Sequence, residues 1–151
     1  ADIDKYTVTL SGGGSGPSKL AGTAFGTSGT WSPPNDTYDK VFDGNTSTFF
    51  DSTTATGAYA GIDLGAGNAK KVTMIKFYPR AAFPGRMVGG KFQGSNTSST
   101  SGYVDLYTIT STPTVGWNTI AISDNTPYRY LRYIGGTNSY GNVAEIEFWG
   151  E

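Results

Sequence analysis

The sequence predicts an all-β fold, a sandwich or jelly roll of about eight antiparallel strands. Short apolar-polar alternations of period two recur along the whole chain. Gly, Pro, Asn, Asp and Ser interrupt them so often that no amphipathic helix of about three turns can be placed. Aromatic residues reach 14% while all apolar residues together make only 36% of the chain. Large amphipathic rings, able to be half buried or to meet a ligand, therefore carry much of the packing.

In chain order, Tyr6-Thr7-Val8-Thr9-Leu10 reads as an opening strand, and Ser11-Gly12-Gly13-Gly14-Ser15-Gly16-Pro17 after it as a flexible loop or linker. Residues 1–19 are thus expected to be an N-terminal strand with a Gly/Ser-rich connection, and residues 20–151 the domain proper. Strands follow near residues 61–64, 72–78, 91–95, 103–109, 117–122, 128–134 and 143–149, each bounded by turn residues. The Ser/Thr cluster at 96–102 reads as a hairpin tip. Trp117 and Trp149 fall in strand patterns, which places them in the core or toward a linker. A chain of 151 residues is long enough to bury one sizeable core and needs no second domain.

Composition excludes several kinds of chemistry. The net charge of −1 leaves no basic footprint for nucleic acid or anionic membrane. The chain has no Cys and no His, which removes disulfides, thiolate metal sites, Ser-His-Asp catalysis and imidazole bases together. No apolar run approaches the ~20 residues that span a bilayer, and no leader peptide is visible. The polar, Ser/Thr/Asn/Gly-rich composition suits a secreted, extracellular domain.

Two segments carry candidate chemistry. The turn Asp43-Gly44-Asn45-Thr46-Ser47-Thr48 can aim the Asp43 carboxylate, the Thr48 hydroxyl and backbone carbonyls at one point, an oxygen cage suited to a hard cation such as calcium. The closing run Ala144-Glu145-Ile146-Glu147-Phe148-Trp149 offers two carboxylates on one strand face. Taken alone, Asp43 also fits an Asx-turn over Gly44, and Glu145 an ion pair with a nearby Lys or Arg.

These segments resemble the discoidin domains, or coagulation factor V/VIII type C domains, and above all their sugar-binding relatives in carbohydrate-binding module family 32. Residues 42–50 match the family's Phe-Asp-Gly-(Asn/Asp)-x-x-Thr-aromatic-aromatic loop, and residues 144–150 its closing Ala/Ser-Glu-Ile-x-Phe-aromatic-Gly strand. Between them, Ile62-Asp63-Leu64-Gly65 and residues 71–78 look like its next two core strands. The resemblance implies a galactose-binding-domain-like jelly roll. It also implies a structural calcium held by the side chains of Asp43, Thr48 and Glu145, with carbonyls from Lys40, Asn45, Thr48 and Ala144.

Sugar recognition needs a flat apolar face and planar donors for paired hydroxyls. In the family's sugar binders such groups come from the residue after the paired aromatics, an arginine after the central strand and an aromatic before the last strand, which here implies Asp51, Arg80 and Tyr140. Trp31, Phe83 and Arg86 join them by loop position. The family often carries His or Trp after the paired aromatics, where this chain has Asp51-Ser52-Thr53-Thr54. Arg80 and Arg86 also fit ion pairs with Asp51 or Asp36, Trp31 a plug for the end of the sandwich, and Tyr140 a turn cap. The expected function is a non-catalytic, monomeric, lectin-like module that holds an attached enzyme's catalytic domain near an oligosaccharide or polysaccharide. The alternative is a discoidin-type adhesion domain for a protein or lipid surface, with Phe83 and Met87 as apolar spikes. A glycosidase using Asp51 with Asp36 is disfavoured, because nothing predicts a deep cleft.

Overall fold

A computed structural model describes residues 16–151 and contains two antiparallel sheets packed face to face. Its strands are β1 (Ser18–Lys19), β2 (Thr23–Gly26), β3 (Tyr59–Asp63), β4 (Lys70–Tyr78), β5 (Lys91–Ser95), β6 (Val104–Thr108), β7 (Asn118–Ala121), β8 (Pro127–Tyr128), β9 (Tyr130–Ile134) and β10 (Glu145–Gly150). One sheet runs β1-β10-β4-β7, with β8 pairing β4, and the other runs β2-β3-β9-β5-β6. Among the described residues the only helical pieces are single 3-10 turns at Tyr38–Phe42 and Pro84–Met87. Among the described residues no helix is long and apolar enough to cross a membrane.

The seven strands expected from residue 61 onward all form, near the expected bounds. Short β1, β2 and β8 carry too little pattern to be read from sequence. Ser18 and Lys19 pair with Gly150 and Trp149, so pairing begins before residue 20. The expected strand at 6–10 lies outside the described residues.

The central strand β4 departs from strict alternation, since Val72, Ile75 and Phe77 are all buried. Trp149 pairs with Met74 but Gly150 with Val72, which leaves Thr73 as the extra residue of a β-bulge. That insertion turns Val72 to the same face as Ile75. The core then closes on Phe92, fully buried, with Tyr133 at 5.0 Å, Phe77 at 5.3 Å and Phe148 at 6.2 Å between ring centroids. Trp117 is not in this core. It is 43% exposed, edge-on to Tyr78 with the Lys76 ammonium above it, because it stands just before β7, at the sheet edge.

Rings that interlock from both sheets leave no room for relaxation after truncation. Phe92→Ala is expected to cost about 3–5 kcal/mol in urea unfolding, whereas Trp117→Ala is expected to change stability by less than about 1 kcal/mol.

Candidate functional site

Four connections meet at one end of the sandwich: residues 27–37, 43–58, 79–90 and 135–144. The stretch Phe50-Asp51-Ser52-Thr53 threads between them and is pinned at every residue. Phe50 N–H donates to the Val143 carbonyl (3.0 Å), Asp51 N–H to Asp36 (3.0 Å), Ser52 N–H to Tyr140 (2.9 Å) and Thr53 N–H to Gly29 (3.0 Å). Asp51 is thereby fixed in the middle of the loop cluster. Asp36, buried beneath, accepts the Ser32 N–H on Oδ2 (3.0 Å) and so closes the turn that presents Trp31.

Asn142 organises the centre. It is fully buried, and its Oδ1 accepts hydrogen bonds from Arg80 Nη1 (3.0 Å) and Arg86 Nη1 (2.8 Å). Its Nδ2 donates to Asp51 Oδ1 (2.9 Å), to the Phe50 carbonyl (3.1 Å) and more weakly to the Tyr140 carbonyl (3.3 Å). Arg80 Nη1 also pairs with Asp51 Oδ2 at 3.1 Å. One amide thus sets the orientation of two guanidiniums and a carboxylate.

The preceding backbone allows this by adopting left-handed conformations. Tyr140 (φ 54°) and Gly141 (φ 66°) are consecutive positive-φ residues. A Cβ at Gly141 would lie 2.7 Å from the Phe50 ring, so only glycine fits there. Tyr140 carries a conformation rare for a side-chain-bearing residue, at a cost of roughly 1 kcal/mol or more, and its ring is held at the surface. Across the site, Pro84 opens the 3-10 turn whose fully buried Met87 anchors Arg86. Burial of Met87 also removes the expected apolar spike, leaving Phe83 alone at 40% exposure.

The outcome is a stack of rings and guanidiniums. Arg80 lies 3.9 Å from the Phe49 centroid and 4.8 Å from Phe83; Arg86 lies 4.0 Å from Phe83 and 5.3 Å from Tyr140. The Tyr140 ring is 6.4 Å from Trp31. Trp31 is 61% exposed and so stands as an outer wall instead of plugging the sandwich. Trp31, Asp51, Arg80, Phe83, Arg86 and Tyr140 together line one shallow concavity of about 380 Å³. All six residues singled out from sequence are therefore neighbours. Asn142 and Phe49 were not singled out, because a buried amide and an aromatic beside a core phenylalanine give no distinct local signal.

A second cluster sits beside this one. Gly44 (φ 76°) turns the loop so that its N–H donates to Glu145 Oε2 at 3.1 Å. Asp43 accepts from the Asn45 N–H (2.8 Å) and the Thr48 hydroxyl (2.6 Å), and Thr48 Oγ1 lies 3.1 Å from the Asn45 carbonyl. The Lys40 carbonyl faces the Asp43 N–H (3.4 Å), and Ala144 leads into Glu145. Glu145 is 1% exposed; burial, then the adjoining Asp43 carboxylate, raises its pKa to about 8. Burial also pushes Asp43 upward, but its hydrogen bonds with Glu145, Thr48 and Asn45 outweigh this and hold it below the ordinary carboxylate value. Among the described residues no cluster of three or more acidic, His or Cys side chains exists. Two apposed carboxylates with hydroxyl and carbonyl oxygens are nonetheless a donor set that fits a hard, oxygen-preferring cation.

A family profile described as NedA-like, galactose-binding domain, of the F5/F8 type C group, matches residues 40–133. The CBM62 from Clostridium thermocellum Xyl5A is 44% identical, with a TM-score of 0.84 over 88% of this chain and 96% of that one. The chain belongs to the F5/F8 type C family of galactose-binding-like domains, and its fold is that of carbohydrate-binding modules. The same fold recurs in the family 32 module of C. perfringens NanJ in complex with galactose, at 17% identity and TM-score 0.69 over 88% of this chain and 98% of that. It recurs again in truncated AlyQ with CBM32 and alginate lyase domains, at 21% identity and TM-score 0.66 over 90% of this chain and 34% of that. No match is found among curated protein sequences.

Removing Asn142 would strip a common partner from three charged groups in a buried setting. Asn142→Ala is expected to lower stability by about 2–3 kcal/mol in urea unfolding. A loss under about 0.5 kcal/mol would show that Asn142 does not organise this end of the fold.

Proposed function

We propose that the chain is a non-catalytic carbohydrate-binding module whose ligand site is the concavity lined by Trp31, Asp51, Arg80, Phe83, Arg86 and Tyr140. The observation that carries this reading is the alternation of aromatic faces and guanidiniums around one fixed carboxylate. Rings cover the C–H face of a pyranose, while Asp51 accepts from sugar hydroxyls and the arginines donate to them. The hydrogen bonds that Arg80 and Arg86 make to Asp51 and Asn142 run through Nη1, and a guanidinium carries further donors on Nε and Nη2 that can meet sugar hydroxyls. The CBM62 relative at 44% identity supports the class, and the galactose complex of NanJ makes galactose the first sugar to test. AlyQ carries a CBM32 beside a lyase domain, which supports a tethering role on an extracellular enzyme that acts on polysaccharide.

A shallow site that engages one or two rings is expected to bind with a Kd of about 10 µM to 1 mM. Arg80→Ala and Tyr140→Ala are each expected to weaken binding at least about tenfold, about 1.4 kcal/mol, in calorimetry or polysaccharide affinity gels. Both folded variants binding as wild type would put the site on another surface.

We further propose that Asp43, Thr48 and Glu145, with carbonyls of Lys40, Asn45, Thr48 and Ala144, hold a structural calcium. The ion's charge offsets the apposed carboxylates and ties the 43–48 loop to β10. Without metal, the folded protein keeps a proton on Glu145 (about 8) that the unfolded chain releases near 4.5. That contribution to stability is complete below the unfolded value and is lost as pH rises through the folded one. Calcium replaces the proton, so the rise in Tm between chelator and calcium is expected to be small at pH 5 and larger at pH 8. Equal Tm values with and without calcium at pH 8, on protein shown to be metal-free beforehand, would refute the site.

A further inference from the structure

The ligand concavity is not isolated. On the other side of Arg80 lies a second one of about 420 Å³, between the 46–49 stretch and the chain leaving β4. Arg80 lines both and is the wall between them. It cannot swing aside freely, because Asp51 and Asn142 hold Nη1 and the Phe49 ring lies 3.9 Å beneath the guanidinium. The second concavity repeats the chemistry of the first in a plainer form. Phe49 and Tyr78 supply rings, Thr46 and Ser47 are exposed hydroxyl residues, and Ala81, Ala82 and Ala144 line the rest with methyl groups.

We propose that this is a second saccharide subsite, occupied by the sugar unit joined to the one bound beside Tyr140, with the glycosidic linkage crossing Arg80. The inference rests on the carbohydrate-binding reading of the first concavity. Each hollow lies near the lower end of the range for small-molecule sites, which suits one or two sugar rings and not a long chain. The rings and methyls of the second hollow cover a pyranose face, while its hydroxyls and the uncommitted Arg80 donors meet ring substituents on either side of the linkage. A branched or chain-end glycan presenting consecutive units at the surface is the ligand class that fills both. Neither hollow carries a carboxylate that lacks a cationic partner, since Asp51 is paired with Arg80. A neutral oligosaccharide is therefore accommodated without unpaired negative charge facing it.

The test is calorimetric titration of the 151-residue chain with galactose, lactose, melibiose and a galactosyl-mannobiose, for wild type, Ala82→Trp and Ser47→Tyr. Wild type is expected to bind at least one oligosaccharide roughly tenfold or more tighter than galactose. Either substitution, which fills the second hollow from a different wall, is expected to bring the ratio of oligosaccharide to galactose affinity close to one. Thermal unfolding of each variant establishes that it is folded. No gain over galactose with any of the three oligosaccharides, or an unchanged gain in both folded variants, overturns the second subsite and leaves the first standing. Absence of binding to all four sugars overturns galactose as the ligand of the first concavity, and the second subsite with it.

Discussion

The binding end of this molecule depends on one buried amide. Asn142 has no exposed surface, yet each of its polar atoms is satisfied by a group that also faces the concavity or supports it. A carbonyl oxygen has two lone pairs, and here each takes an Nη1–H from a different arginine. Without that shared acceptor two guanidiniums would repel each other at the rim. With it they are held apart in fixed planes, each against an aromatic face, and the Asp51 carboxylate offsets one of the two charges.

That node can be buried because the sandwich supplies the backbone around it. The Phe50–Val143 and Thr30–Ser52 bridges extend sheet-like pairing beyond the named strands into the loops. Polar residues buried at this end satisfy the turn backbone: Ser52 and Ser139 accept the N–H groups of Thr54 and Gly141, and Asn142 donates to the Phe50 carbonyl. A rigid rim costs less entropy to engage a ligand than a mobile one, which matters where a shallow site has few contacts to offer. The positive φ at Tyr140 fits the same logic: local strain is tolerated where the surrounding hydrogen bonds over-determine the turn.

The two clusters at this end share parts. Residues 43–48 hold the oxygen donors apposed to Glu145, and Thr46 and Ser47 of that stretch line the hollow beyond Arg80. Ala144 does the same from the other side, since it precedes Glu145 and lines that hollow as well. Whatever fixes the loop against β10 therefore also fixes one wall of the groove.

The sequence by itself determined the fold class and the longer strands β3 to β7, β9 and β10, because alternation and turn chemistry are local properties of the chain. The rim residues Asp51, Arg80 and Tyr140 were indicated by the resemblance to sugar-binding relatives, and Trp31, Phe83 and Arg86 by loop position. The short strands β1, β2 and β8 were not legible, as two to four residues carry no period and owe their pairing to the neighbour they meet. Nor was the bulge at Thr73, which depends on the register opposite Trp149 and Gly150. Trp117 read as a core or linker-facing residue and stands 43% exposed beside an edge strand, because a sheet edge is defined only by which strand fails to appear beside it. Asn142 stands 62 residues from Arg80 and 56 from Arg86, and a hydrogen-bonded node among them exists only once the two loops have met. Tertiary structure alone decided that these groups face a common hollow, and it did so through burial, which obliges a polar amide to find its partners.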